Sequence, residues 1–154
     1  MSKYVSKKFK QKCPLDKRPK EPLTFEQVEE MATGLIKYLM DKEMFDDARV
    51  YYRANANEWR TVAVDVYGDG EWRKTTLPVN NADNYQVYSR YDLDPNDYFE
   101  YNGDYLSMSF EGFLYTVLNH SYDNKTYQQL QNYFSWYGLY FELGNAWNLS
   151  VYPL

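Results

Sequence analysis

Cysteine and histidine are nearly missing. The chain of 154 residues holds one of each, Cys13 and His120. A lone cysteine cannot close an internal disulfide, which excludes the disulfide-stapled secreted class. One cysteine and one histidine cannot build a zinc site unless carboxylates fill the remaining positions. Long apolar runs are also missing: mean hydropathy is -0.76, and nothing approaches the roughly 18 apolar residues of a membrane-spanning helix. The first residues, Met1 to Leu15, contain no apolar stretch of the kind a secretory signal needs, and Ser2 stands where N-terminal lipidation requires glycine. A reduced, cytoplasmic setting without a membrane partner is expected.

Catalytic signatures are equally sparse. Cys13 lies in a Lys- and Pro-rich segment that offers nothing to hold it against His120, so a Cys-His nucleophile is not expected. His120 itself reads as a packed residue or a cap at the end of a short helix. Gly68-Asp69-Gly70 runs into Glu71-Trp72 and reads as a turn, not as a phosphate loop or a dinucleotide fingerprint. Asp92, Asp94, Asn96 and Asp97 approach a calcium loop. The EF-hand needs glycine at the sixth position and glutamate at the twelfth, where this chain has Asp97 and Gly103. No carboxylate pair stands at a spacing that marks glycoside hydrolysis. The expectation is a non-enzymatic protein with no catalytic residue, no metal and no cofactor.

Aromatic residues, by contrast, are abundant: 19% of the chain, with 18 Tyr, 8 Phe and 4 Trp. Disordered acidic chains are poor in such residues, so this composition argues for a folded domain. Tyrosine combines an apolar body with a polar tip, which suits sheets and binding surfaces.

Charge is distributed unevenly. Lys3, Lys7, Lys8, Lys10, Lys12, Lys17, Arg18 and Lys20 face only Asp16 in the first twenty residues. Beyond residue 74 the only cations are Arg90 and Lys125, against nine carboxylates. Pro14, Pro19 and Pro22 break helix in the basic stretch, so residues 1–21 are expected to form a flexible basic tail, followed by one acidic, Tyr-rich domain over 22–154.

Periodicity within that domain predicts an α+β fold. Thr24 and Gln27 have capping-box spacing, and Phe25, Val28, Met31, Ala32, Leu35, Ile36, Leu39 and Met40 then recur every three or four residues, predicting a helix over 24–42. Alternation beyond Asp47 predicts strands at 49–54, 58–67, 71–78 and 85–93. Asn102-Gly103 between aromatic runs predicts a type I′ hairpin that pairs Tyr101 with Asp104 and Phe99 with Leu106. Phe110, Phe113, Leu114, Val117 and Leu118 predict a short helix capped by Ser109. Tyr127, Leu130, Phe134 and Tyr137 predict another, with Gly138 at its C′ position. A last hairpin, Leu139–Leu143 with Ala146–Tyr152, would turn at Gly144-Asn145. The expected architecture is a mostly antiparallel sheet of about six to eight strands in meanders and hairpins, one long N-terminal helix and two short C-terminal ones.

Binding, then, is the expected function, and the acidic stretch is its candidate site. Asp83, Asp92, Asp94, Asp97, Glu100, Asp104 and Glu111 are countered only by Arg90 and interleaved with Tyr91, Tyr98, Tyr101 and Tyr105. Carboxylates along a rigid surface imitate a line of phosphates, and a groove built for nucleic acid is drawn to them. Small acidic domains that block DNA- or RNA-handling enzymes are common on phages and mobile elements. By that analogy of composition the expected partner is a basic nucleic-acid-binding protein, such as a restriction or RNA-guided nuclease. Two alternatives stand beside it. One is an accessory protein contacting nucleic acid directly through Lys7, Lys8, Lys10 and Lys12; the other is a small carbohydrate- or calcium-binding protein.

Overall fold

The computed structural model describes residues 7–42, 44, 48–56, 58–64, 87–91, 103–110, 113–120 and 124–154. They form an α+β fold with one antiparallel sheet. In chain order the elements are α1 (Lys7–Lys10), a 3-10 turn at Leu15–Lys17, α2 (Phe25–Asp41), β1 (Ala48–Asn55), β2 (Glu58–Val64), β3 (Val87–Tyr91), β4 (Leu106–Phe110), α3 (Phe113–His120), α4 (Lys125–Ser135), β5 (Leu139–Asn145) and β6 (Asn148–Pro153). The sheet order is β3-β2-β1-β4-β6-β5. β1, β2 and β3 are sequential neighbours, after which the chain returns to the other side of β1.

α2 begins as its sequence dictates. The Thr24 side chain accepts from the Gln27 backbone N–H at 3.1 Å, and the Gln27 side chain accepts from the Thr24 N–H at 2.8 Å. This reciprocal cap satisfies two donors that a helix start would otherwise leave unpaired. The apolar stripe from Val28 to Met40 is buried against the sheet. Facing it are alternate strand residues: Val50 and Tyr52 of β1, Leu106, Met108 and Phe110 of β4, Leu149 and Val151 of β6, and Leu139 and Phe141 of β5. One face of the strands and the three-to-four stripe of the helix meet in one core.

The sheet's opposite face is polar yet covered at its centre. Thr61, Tyr51, Ser107 and Ser150 lie in one cross-strand row over β2, β1, β4 and β6, and all four are buried. The Ser107 and Ser150 hydroxyls are hydrogen-bonded at 2.7 Å, one donating to the other.

Several expectations are corrected. Residues 7–21, expected as a flexible tail, are docked on the body. Phe9 is fully buried, its ring stacked on Tyr38 at 4.0 Å and on Tyr133 at 4.2 Å between centroids. The prolines that exclude a long helix do not prevent a four-residue helix from delivering one aromatic anchor. Ser109 and Phe110 do not open a helix; they end β4, and the helix starts at Phe113. Leu106 sits opposite Tyr52 of β1, and the other edge of β4 is taken by β6. Its expected pairing with Phe99 falls on residues 99–102, which lie outside the described residues, as does the strand expected at 71–78. The final hairpin turns at Ala146-Trp147, with Asn145 opposite Asn148 and a register shift at Gly144. Gly138 has φ +73 but stands one position beyond C′, since the C-cap is Trp136.

Candidate binding surfaces

Of the residues expected at a partner-binding site, Asp104 and Tyr105 are described with their side chains. Asp104 is exposed just before β4, and its backbone carbonyl accepts from Arg53 Nε at 3.0 Å. Arg53 in turn lies over the Trp59 ring, 4.6 Å from its centroid. Tyr105 is engaged within the fold. Its hydroxyl donates to Glu21 Oε1 at 2.9 Å and accepts from the Leu23 N–H at 3.3 Å. Burial raises the pKa of that phenol. Tyr105 thus ties the chain ahead of α2 to the start of β4 and does not act as a free recognition ring. Tyr91 ends β3, its backbone opposite Arg60. Asp83, Asp92, Asp94, Asp97, Glu100, Glu111, Tyr98 and Tyr101 lie outside the described residues.

The N-terminal lysines fall into two groups. Lys8 is drawn inward: its Nζ lies 3.3 Å from Glu30 Oε1 and 3.2 Å from the Tyr137 hydroxyl, which itself donates to Glu30 at 2.9 Å. Burial alone would lower the Lys8 pKa, but the hydrogen bonds with Tyr137 and Glu30 outweigh it and raise the value. Lys7, Lys10 and Lys12 are exposed, as are Lys17 and Lys20. Among the described residues the ion pairs are Lys8–Glu30 and Arg60–Glu58, so none of these five has a described carboxylate within 4.0 Å.

Two surface clefts flank α1 and α2. One, about 400 Å³, lies along the outer face of α2 and is lined by Glu26, Glu29, Glu30, Thr33, Gly34 and Lys37. The other, about 610 Å³, lies between α1 and the first turns of α4, with Lys10, Lys125, Asn124, Gln128 and Gln129 among its lining.

Nothing in the described geometry resembles a nucleophile or a metal centre. Cys13 is buried, held by its backbone N–H donating to Ser135 Oγ at 2.9 Å, with Sγ 3.4 Å from the Pro14 carbonyl. Burial pushes the thiol pKa up, the opposite of what activates a cysteine. The expectation that nothing holds Cys13 is corrected: its backbone N–H is held by Ser135 and its side chain is buried. Among the described residues no group of three or more His, Cys, Asp or Glu side chains could hold a metal ion, and no helix is long and apolar enough to cross a membrane.

The residues that sequence reasoning misses are Phe9, Tyr38 and Tyr133. Phe9 is visible in the sequence only as an isolated aromatic among lysines. Its partners are more than twenty residues away, so no local pattern could mark it. Comparison of the chain with protein-family models, with curated proteins and with solved structures finds no match.

Proposed function

We propose that this protein is a non-enzymatic inhibitor that binds, through the acidic, Tyr-rich stretch from Asp83 to Glu111, the basic nucleic-acid channel of a DNA- or RNA-handling enzyme. The observation that supports this reading is the separation of charge along the sequence. Seven carboxylates from Asp83 to Glu111 are countered within the stretch by Arg90 alone. The basic residues that could neutralise them in the sequence begin instead on a segment docked to α2 and α4, where Phe9 anchors it and Lys8 is paired with Glu30. A one-sided negative field attracts a positive groove at long range and raises the association rate more than it raises affinity.

The test uses nuclease-treated lysate of the source cell. The full chain is used as bait, bound proteins are identified by mass spectrometry, and affinity is then measured with the purified partner. A basic nucleic-acid-handling protein is expected, released between low and high salt and displaced by its own nucleic acid. The D92K/D94K/D97K variant is expected to lose that binding while keeping the wild-type melting temperature. Unchanged affinity of the triple variant would sink the proposal.

A further inference from the structure

We propose that α1 and the start of α4 form a second, independent binding surface that takes a phosphate-bearing nucleic-acid strand. The stacking of Phe9 between Tyr38 and Tyr133 is what turns a basic sequence into a basic surface. With Phe9 fully buried, the lysines around it project from a fixed helix and not from a mobile chain. A second anchor is the Asn132 side-chain amide, which donates to the Phe9 carbonyl at 3.2 Å, and a third is Trp136 Nε1, which donates to the Gln11 carbonyl at 2.9 Å. Less conformational entropy is then lost when these cations meet a ligand.

The cleft of about 610 Å³ beside this segment decides the kind of ligand. Lys10 and Lys125 supply positive charge, and between them lie the amides of Asn124, Gln128 and Gln129. Of the two glutamines, Gln128 Oε1 and Gln129 Nε2 are the ends not engaged with Asn132 and Tyr38. Ammonium groups neutralise phosphates, while carboxamides both donate and accept, as base and sugar edges require. Lys7 and Lys12, exposed on the same segment, extend the positive surface on either side of Lys10. A lipid surface would call for apolar side chains among the cations. Here Phe9 is turned wholly inward, and Leu15, 79% exposed, is a single side chain where an amphipathic anchor presents a stripe.

The test is fluorescence anisotropy with end-labelled single strands of DNA and of RNA, using the full chain. Wild type is expected to bind, with affinity falling roughly 50-fold between about 50 and about 200 mM salt, as four phosphate contacts on a single strand imply. K10E/K125E is expected to lose at least about tenfold, and K37E, on α2 away from this cleft, to stay near wild type. K10Q/K12Q, which removes charge without reversing it, guards against a folding defect and is expected to weaken binding with an unchanged melting temperature. Absence of strand binding at low salt, or unchanged affinity in both lysine variants, would overturn the proposal. Binding to anionic phospholipid vesicles in place of strands, or equal competition by a free mononucleotide, would overturn it as well. The D92K/D94K/D97K variant is expected to bind strands no more weakly than wild type, so this result and that of the acidic-surface test stand apart.

Discussion

The hydroxyl of Tyr133 occupies the space that a side chain at position 34 would need. A Cβ built on Gly34 would meet that oxygen well inside van der Waals contact, and the same hydroxyl donates to the Met31 carbonyl at 2.7 Å. Glycine in the middle of a helix ordinarily costs about 1 kcal/mol relative to alanine. Here it opens the groove in which α4 hangs a tyrosine from the α2 backbone.

That contact reverses the usual effect of a helix-stabilising substitution. G34A is expected to destabilise the protein by about 1–3 kcal/mol, since overpacking outweighs the propensity gain. In the Y133F background the clash loses its oxygen, so G34A should then cost clearly less. Urea denaturation of the four members of this cycle would measure the coupling; simple additivity would contradict it.

Phe9 should behave as a core residue despite its place in a lysine-rich segment. F9A is expected to lose about 3–5 kcal/mol, the range for truncating a buried Phe. Deleting residues 2–20 should lower the denaturation midpoint in the same direction. A truncated chain as stable as the full one would show that the segment is dispensable to the fold.

Alkaline pH should weaken the protein through Tyr38. Burial raises its phenol from 10.0 to about 12, with its hydroxyl bonded to Gln129 Oε1. The unfolded chain ionises first, so the stabilisation is whole below pH 10 and is lost as pH rises toward 12. Its size is roughly 2–3 kcal/mol. Denaturation midpoints of wild type and Y38F across this range should converge as the pH rises, and parallel profiles would refute the assignment.

Cys13 reports on the docked segment directly. Its buried, high-pKa thiol is expected to react with an aromatic disulfide reagent far more slowly in the native protein than in urea. F9A should speed the native reaction by loosening α1. Equal native and denatured rates would mean that the segment does not stay docked.

Gly103 answers to a contact that no local pattern shows. Asn102-Gly103 reads as a hairpin turn, but a Cβ on Gly103 would collide with the Val151 carbonyl of β6. The glycine is required by a neighbour 48 positions along the chain. The Ser109 and Phe110 misreading has the same origin. A Phe-rich run is compatible with either period, and pairing of β4 between β1 and β6 decides for strand.

What the sequence determined by itself is whatever acts over a few residues or through composition. The capping box of Thr24 and Gln27, the stripe of α2 and the acidic bias beyond residue 74 are all of this kind. Tertiary structure decided where distant residues meet. The strand order, the row from Thr61 to Ser150, the inward turn of Lys8 toward Glu30 and the docking of Phe9 between Tyr38 and Tyr133 each join residues far apart in the chain. The physical reason is that burial energy depends on area removed from water, and a lone Phe among lysines shows no partner until the groove between α2 and α4 exists to receive it.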